Sequence, residues 1–219
     1  MRRPDAHLWK QAEEKELSAL FKMDTFSEKI FIDTMTPAQR RLLLSTRWVY
    51  RYKTVDDQVT CKARLVARGD MQKDIPDDPY SPTCRFETLR VFCSIAAQFS
   101  LKISDYDVQN AYLQSDCRDE IYVRPAPGQA QDVDGRKFAH RLNKSLYGAK
   151  RSGKFWNEEL HSTLISLGLK QSEHDRCLYF LHTETSCLLF LVFVDDILVA
   201  HSERDEAVFQ QVMQGLFDK

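Results

Sequence analysis

Near its C-terminal end the chain carries an apolar run, Cys187-Leu188-Leu189-Phe190-Leu191-Val192-Phe193-Val194, that breaks at Asp195-Asp196 and resumes at once as Ile197-Leu198-Val199-Ala200. Carboxylates set in so hydrophobic a hairpin are costly unless they are paired or bound to a cation. The plain alternative is an Asp-containing turn, since Asp is common in turns. A second acidic feature weighs against that alternative. Asp107 ends a strand expected over residues 101–107, just before Val108-Gln109-Asn110-Ala111-Tyr112-Leu113. One aspartate from a strand end and two from a neighbouring hairpin tip can converge on divalent cations. Mg²⁺ takes oxygen ligands and binds through few carboxylates plus substrate phosphates.

The pattern elsewhere predicts a mixed fold. Residues 5–22 read as a helix with Asp5 as N-cap, and Leu8, Trp9, Ala12, Leu17 and Leu20 recur at helical spacing. Strands are expected over 48–53 and 60–67, joined by a turn at Asp56-Asp57, with Lys62 and Arg64 on one face of the second. The proline-rich stretch 75–82 must be loop. Helices are expected over 86–99 and 152–167, the latter stopped by Gly168. Val108 to Leu113 should turn into helix, 121–123 and 177–182 should be strands, and Ser202-x-x-Asp205 should open a last helix as a capping box. Strands and helices mix without strict alternation, so the expected class is α+β.

Composition bounds the rest. With 43% hydrophobic and 29% charged residues, the chain is not a disordered tail. The six cysteines never form C-x-x-C, which reads as reduced thiols and not as a disulfide framework. Met1 is followed by Arg2-Arg3-Pro4-Asp5, so no signal peptide is expected, and the longest apolar run is too short to span a bilayer. Net charge is only −1, but 40–70 and 136–156 are basic while the residues after 157 are acidic. Such a distribution can present a positive groove on a near-neutral protein.

Several segments together resemble the reverse transcriptases of copia-type LTR retrotransposons. Phe193-Val194-Asp195-Asp196 resembles their aromatic-x-Asp-Asp box, and Asp107-Val108-Gln109-Asn110-Ala111-Tyr112-Leu113 their first palm motif. Trp48-Val49-Tyr50, Lys62-Ala63-Arg64-Leu65-Val66-Ala67-Arg68-Gly69, Tyr80-Ser81-Pro82, Glu120-Ile121-Tyr122-Val123-Arg124-Pro125, Ser145-Leu146-Tyr147-Gly148-Ala149-Lys150 and Ser172-Glu173-His174-Asp175 follow the family's order. The resemblance implies a right-hand polymerase, with an antiparallel palm sheet packed on helices. Fingers would occupy about 1–100 and 126–153, palm about 101–125 and 154–219, with the thumb missing. It implies an RNA-directed DNA polymerase that joins dNTPs to a primer 3′ end on an RNA or DNA template. Two Mg²⁺ ions, replaceable by Mn²⁺, would sit on Asp107, Asp195 and Asp196. Lys62 and Arg64 would neutralise the triphosphate, Tyr112 would be the steric gate beneath the sugar, and Tyr147 and Gly148 would line the nucleotide pocket. Integrase would lie upstream in a polyprotein, thumb and ribonuclease H downstream. The setting would be a cytoplasmic virus-like particle or the nucleus, without membrane or secretion. This truncated chain is expected to be inactive alone.

The chain departs from the family pattern in places. Ser115, Ala149, Gly153 and Phe193 stand where glycine, leucine, proline and tyrosine are usual. If position 115 needs positive φ, serine there costs about 1 kcal/mol. Three other readings compete. A non-enzymatic, nucleic-acid-binding remnant would retain the aspartates by descent. His174, Cys177, His182 and Cys187 have zinc-knuckle spacing, but their span is expected to be strand. Asp105-Tyr106-Asp107 could be a glycosyltransferase metal box, which leaves the Asp195-Asp196 hairpin unexplained.

Overall fold

A computed structural model of the protein describes residues 5–55, 58–73, 78–183 and 186–217. In chain order its elements are α1 (Ala6–Lys22), β1 (Ile30–Phe31), α2 (Pro37–Arg41), β2 (Leu43–Leu44), β3 (Thr46–Val55), β4 (Gln58–Ala67), α3 (Phe86–Gln98), β5 (Lys102–Asp107), β6 (Tyr122–Val123), β7 (Asp132–Val133), β8 (Arg136–Arg141), α4 (Ser152–Ser166), β9 (Lys170–Gln171), β10 (Leu178–His182), β11 (Cys187–Phe193), β12 (Asp196–His201) and α5 (Glu206–Phe217). The class is α+β. The chain divides into two compact units, one of residues 1–79 and 112–155, the other of 80–111 and 156–219. The turn expected at Asp56-Asp57 and part of the proline-rich loop lie outside the described residues.

In the first unit β3 and β4 form a long antiparallel ribbon, and short strands run in the order β1-β8-β6-β2, with β7 beside β8. Alternation along β4 buries Ala63, Leu65 and Ala67 while Lys62 stays exposed. The buried side joins Leu20, Leu44, Leu113, Ile121, Leu142 and Leu146 in one core. Each buried leucine of this kind contributes about 1.5–3 kcal/mol. Asp5 stands at the start of α1, but its carboxylate does not cap the backbone. It accepts from Trp9 Nε1 at 2.9 Å and from the Tyr52 hydroxyl at 2.7 Å, because aromatic donors of α1 and β3 reach it. The short strands β1, β2, β7, β8 and β9 and the five-residue α2 were not expected. The two-residue strands carry no periodicity and are defined by their partners, while the six-residue β8 buries only the adjacent Phe138 and Ala139 and so shows no alternation either.

In the second unit five antiparallel strands run in the order β5-β12-β11-β10-β9. One face meets α3 through Phe92 and Ala96, packed on Leu191, Leu198 and Ala200. The opposite face meets α5, where His201 stacks on Phe209 at 4.1 Å and Tyr106 lies near Phe209 and Phe217. His161 of α4 reaches the buried Tyr179 on this same face. Gly168, at φ +89°, ends α4 as its position suggested. Ser202 and Asp205 do bond to each other, at 2.7 Å, but as a side-chain pair; a 3₁₀ turn (Glu203–Asp205) intervenes before α5. Asp205 also accepts from the Cys187 amide, so the carboxylate is spent on the neighbouring strand and not on a helix cap.

Among the described residues, no helix is long and apolar enough to cross a membrane.

Candidate active site

The carboxylate site is built by the sheet of the second unit. Asp107, the last residue of β5, is opposed to Asp196, the first residue of β12. Directly opposed residues of an antiparallel pair share a face, so both acids lie on the α3 side, and Asp105 follows two residues back. Asp195 does not sit on the strand. Phe193 pairs with Asp196, so β11 and β12 are separate strands joined by a turn of only Val194 and Asp195. Two-residue hairpins favour residues that tolerate positive φ, such as Asn-Gly. Here Val194 takes φ +58°, strained for a β-branched side chain. Both turn carbonyls are held from outside: Val194 O accepts from Trp156 Nε1 at 2.7 Å, and Asp195 O accepts from the Val108 amide at 2.8 Å. The second bond ties Asp195 to the residue after Asp107. Trp156 is itself buried.

The electrostatics follow from this crowding. Burial pushes the Asp196 carboxyl above its usual range, and Asp195, Asp105 and Asp107 push it the same way. Hard carboxylate oxygens gathered around a carboxyl that burial and neighbouring acids disfavour as an anion suit a divalent cation. Among the described residues, however, no three His, Cys, Asp or Glu side chains are gathered closely enough to hold a metal ion together. That includes the zinc-spaced set: His182 is opposed to Cys187 across the β10–β11 ladder, while Cys177 is buried. Beside the aspartates opens a cavity of about 420 Å³, walled by Leu89, Leu191, Phe193 and Leu198 with Asp105 and Asp196.

The first unit holds the remaining expected residues. The Arg64 guanidinium lies 5.0 Å from the Tyr147 ring centroid, and Tyr147 lies 5.0 Å from Tyr112. Arg64, Tyr147 and Tyr112 thus form one cluster, with the two tyrosine rings tilted at 50°, and its cation–π contact is worth about 0.5–2 kcal/mol. Lys62 shares the strand face of Arg64. Tyr112 belongs to a 3₁₀ turn (Ala111–Gln114), not to the helix expected there, since Asn110 at φ +54° breaks the lead-in. Gly148 is constrained by the chain's own backbone: a Cβ there would fall 2.3 Å from Ala67 O, and φ is +86°. The adjoining bond, Ala67 N–H to Tyr147 O at 2.8 Å, pins this loop to the end of β4. Ser115 is absent from the positive-φ positions; it is fully buried, and its hydroxyl bonds to Ser145 Oγ and Tyr112 O, each at 3.0 Å. The strain expected at that position does not arise.

Two residues escaped the sequence reading. Trp156 gave no signal, because an indole that holds a turn carbonyl looks like any core aromatic. Asp175 stood in the His174-Asp175 segment without a role. It is buried and accepts from the Arg85 amide, the Thr88 hydroxyl and the Cys177 amide, tying the start of α3 to β10.

A model of the family described as reverse transcriptase (RNA-dependent DNA polymerase) matches residues 29–218. The chain belongs to the reverse transcriptase family. The reverse transcriptase sequence is 32% identical over 200 residues to the retrovirus-related Pol polyprotein from transposon RE2 of Arabidopsis thaliana, covering 89% of this chain and 13% of that one. It is 33% identical over 167 residues to the Pol polyprotein from transposon TNT 1-94 of Nicotiana tabacum, covering 74% and 12%. It is 33% identical over 192 residues to the transposon Ty1-ER2 Gag-Pol polyprotein of Saccharomyces cerevisiae, covering 86% and 10%. These relatives are copia-type retrotransposon polyproteins, and the chain spans about a tenth of their length. A solved telomerase structure from Candida albicans, in complex with a fragment of telomeric RNA, is similar at TM-score 0.48 and 13% identity over 96% of this chain and 43% of that one.

Proposed function

We propose that the second unit carries the catalytic carboxylates of an RNA-directed DNA polymerase that works by two-metal nucleotidyl transfer. The observation that carries this reading is the opposition of Asp107 to Asp196, with Asp195 tied beside them by the Val108 amide. In the reaction the primer 3′ oxygen bonds to the α-phosphorus of a dNTP, its proton leaves to solvent or base, and the bond to the β-phosphate breaks to release pyrophosphate. Mg²⁺ held by Asp107 and Asp195, with Asp196 in support, would act as Lewis acid for the attacking and leaving oxygens. Mg²⁺ characteristically takes only one or two carboxylates and completes its shell with water and phosphate. A protein site short of three converging acids is compatible with that habit.

Lys62 and Arg64 would neutralise the triphosphate, Tyr147 and Gly148 would line the nucleotide pocket, and Tyr112 would exclude a 2′-hydroxyl. Fingers (about 1–100 and 126–153) and palm (about 101–125 and 154–219) would be its subdomains, limits that differ from the two compact units at 80–100 and 112–125, and a primed RNA or DNA template would be the partner. Basic stretches make mostly phosphate contacts, weak and steeply salt-dependent. The 219-residue chain alone should therefore show little processive synthesis, and a monodisperse preparation that extends a primer by many nucleotides would refute that.

The decisive experiment is Asp195→Asn in a complete polymerase carrying this domain. Loss of one metal-binding carboxylate should remove nearly all primer extension at unchanged thermal stability. Retained extension would sink the assignment. Sugar selection is separable: Tyr112→Phe should keep discrimination and Tyr112→Ala should lose it, read by extension with ribonucleotides alone.

A further inference from the structure

The β3–β4 ribbon has two chemically different faces. The register opposes Trp48 to Leu65, Tyr50 to Ala63 and Tyr52 to Cys61, which places these six on one face. Arg51 opposes Lys62 and Val49 opposes Arg64, so Arg47, Arg51, Lys53, Lys62 and Arg64 share the other. The aromatic face is met by a single stripe of α1. Asp5, Trp9, Glu13 and Glu16 recur at spacings of four, four and three, which is one side of a helix. Each has a partner on the ribbon. Asp5 accepts from the Tyr52 hydroxyl and Glu13 accepts from the Tyr50 hydroxyl. Trp9 packs edge-on against Tyr50 and Tyr52, at 5.2 and 5.0 Å between ring centroids. Glu16 Oε1 accepts from the Leu65 amide at 3.2 Å. That last bond reaches β4 itself, one residue from Arg64, and Lys62 and Arg64 both act electrostatically on the Glu16 carboxylate. The family match begins at residue 29, so it leaves α1 unassigned.

We infer that α1 is a strap that sets the position of the ribbon, and that Glu16 is a positioning residue for the incoming nucleotide. This rests on the reading that Lys62 and Arg64 meet the triphosphate. Asp5 at the N-cap and Trp9, Glu13 and Glu16 of α1 hold this side of the ribbon, and the cations on the opposite face are thereby presented in one register. Glu16 fixes β4 through the amide of Leu65, the residue next to Arg64, and so holds the stretch that carries both cations. The strap governs binding of the nucleotide and leaves the transfer step to the aspartates.

The experiment compares Glu16→Ala, Glu16→Gln and the double variant Tyr50→Phe/Tyr52→Phe, with Arg64→Ala as a control on the underlying reading. Hydrogen exchange of the ribbon amides is measured on each protein, and KM for dNTP, KM for primer-template and kcat on the complete polymerase. Glu16→Ala should speed exchange at Leu65 and raise KM for dNTP about three- to ten-fold, the range set by one lost hydrogen bond, with kcat and the primer-template KM unchanged. Glu16→Gln keeps an acceptor and should restore most of the loss. The double phenylalanine variant leaves α1 intact and should loosen the ribbon in the same direction, so a misfolded Glu16→Ala does not end the test. If Arg64→Ala raises KM for dNTP while the Glu16 and tyrosine variants do not, the strap is refuted and the triphosphate reading stands. If Arg64→Ala leaves KM unchanged, the triphosphate reading fails and the positioning role with it.

Discussion

The bonds that hold the Val194-Asp195 turn decide where a carboxylate sits. Trp156→Phe keeps an aromatic ring but removes the Nε1 donor to Val194 O, together with the five-membered ring of the indole. Misplacing a reacting group by about 1 Å can cost about 100-fold. We therefore expect kcat to fall about 10- to 100-fold in single-turnover primer extension while KM for dNTP holds. An unchanged kcat would show that the turn keeps its place without the indole. Asp175 is a stability residue by the same kind of reading. Burial opposes its charge, but the Thr88 hydroxyl and the Cys177 and Arg85 amides outweigh burial and hold the carboxyl below its ordinary range. A carboxyl depressed in the folded state stabilises above its unfolded pKa, and that contribution is lost as pH falls through the folded value. Asp175→Ala should cost about 1–3 kcal/mol at pH 7 by urea unfolding. The deficit against wild type should shrink below pH 4, and a pH-independent deficit would count against this account. Thiol labelling offers a third check. Cys177, buried and pushed up to about 12, should resist alkylation at pH 8 while the exposed Cys93 reacts.

At the scale of elements, Gly148 and β4 are locked together by backbone alone. Gly148→Ala would place a methyl against Ala67 O at a φ that L residues avoid, and should destabilise by about 2 kcal/mol or more, read as a lowered urea midpoint. Near-wild-type stability would mean the loop can slide off the strand. The long elements were legible in sequence because their periodicity is long: β3, β4, α3, β5, α4 and β11 all lie within a residue or two of expectation. The aspartates were legible because charge inside an apolar run has few explanations. Less legible was anything fixed by distant partners. The left-handed Val194 obeys no local propensity, and Trp156, Glu16 and Asp175 act through backbone groups that a sequence does not mark. The 3₁₀ turn under Tyr112 replaced a helix because Asn110 took positive φ, a choice Asn makes often but not always.

At the scale of the whole molecule, the two units are not consecutive along the chain. Residues 80–111 belong to the second unit but are inserted between the halves of the first, and the last boundary falls inside α4, after Phe155. On a ribosome this order has a consequence. Residues 1–79 emerge with the apolar sides of α1 and β4 made, yet Leu113, Ile121, Leu142 and Leu146, which complete their core, follow only by residue 155. At about 5–20 residues per second, translating residues 80–155 takes about 4–15 s. Throughout that interval a nascent chain displays an unfinished apolar surface, and β5, made by residue 107, waits longer still, until β12 at 196–201. Factors that shield nascent chains should therefore raise the soluble yield of this domain, and slowing elongation just before residue 155 should lower that yield more than an equal pause after residue 217.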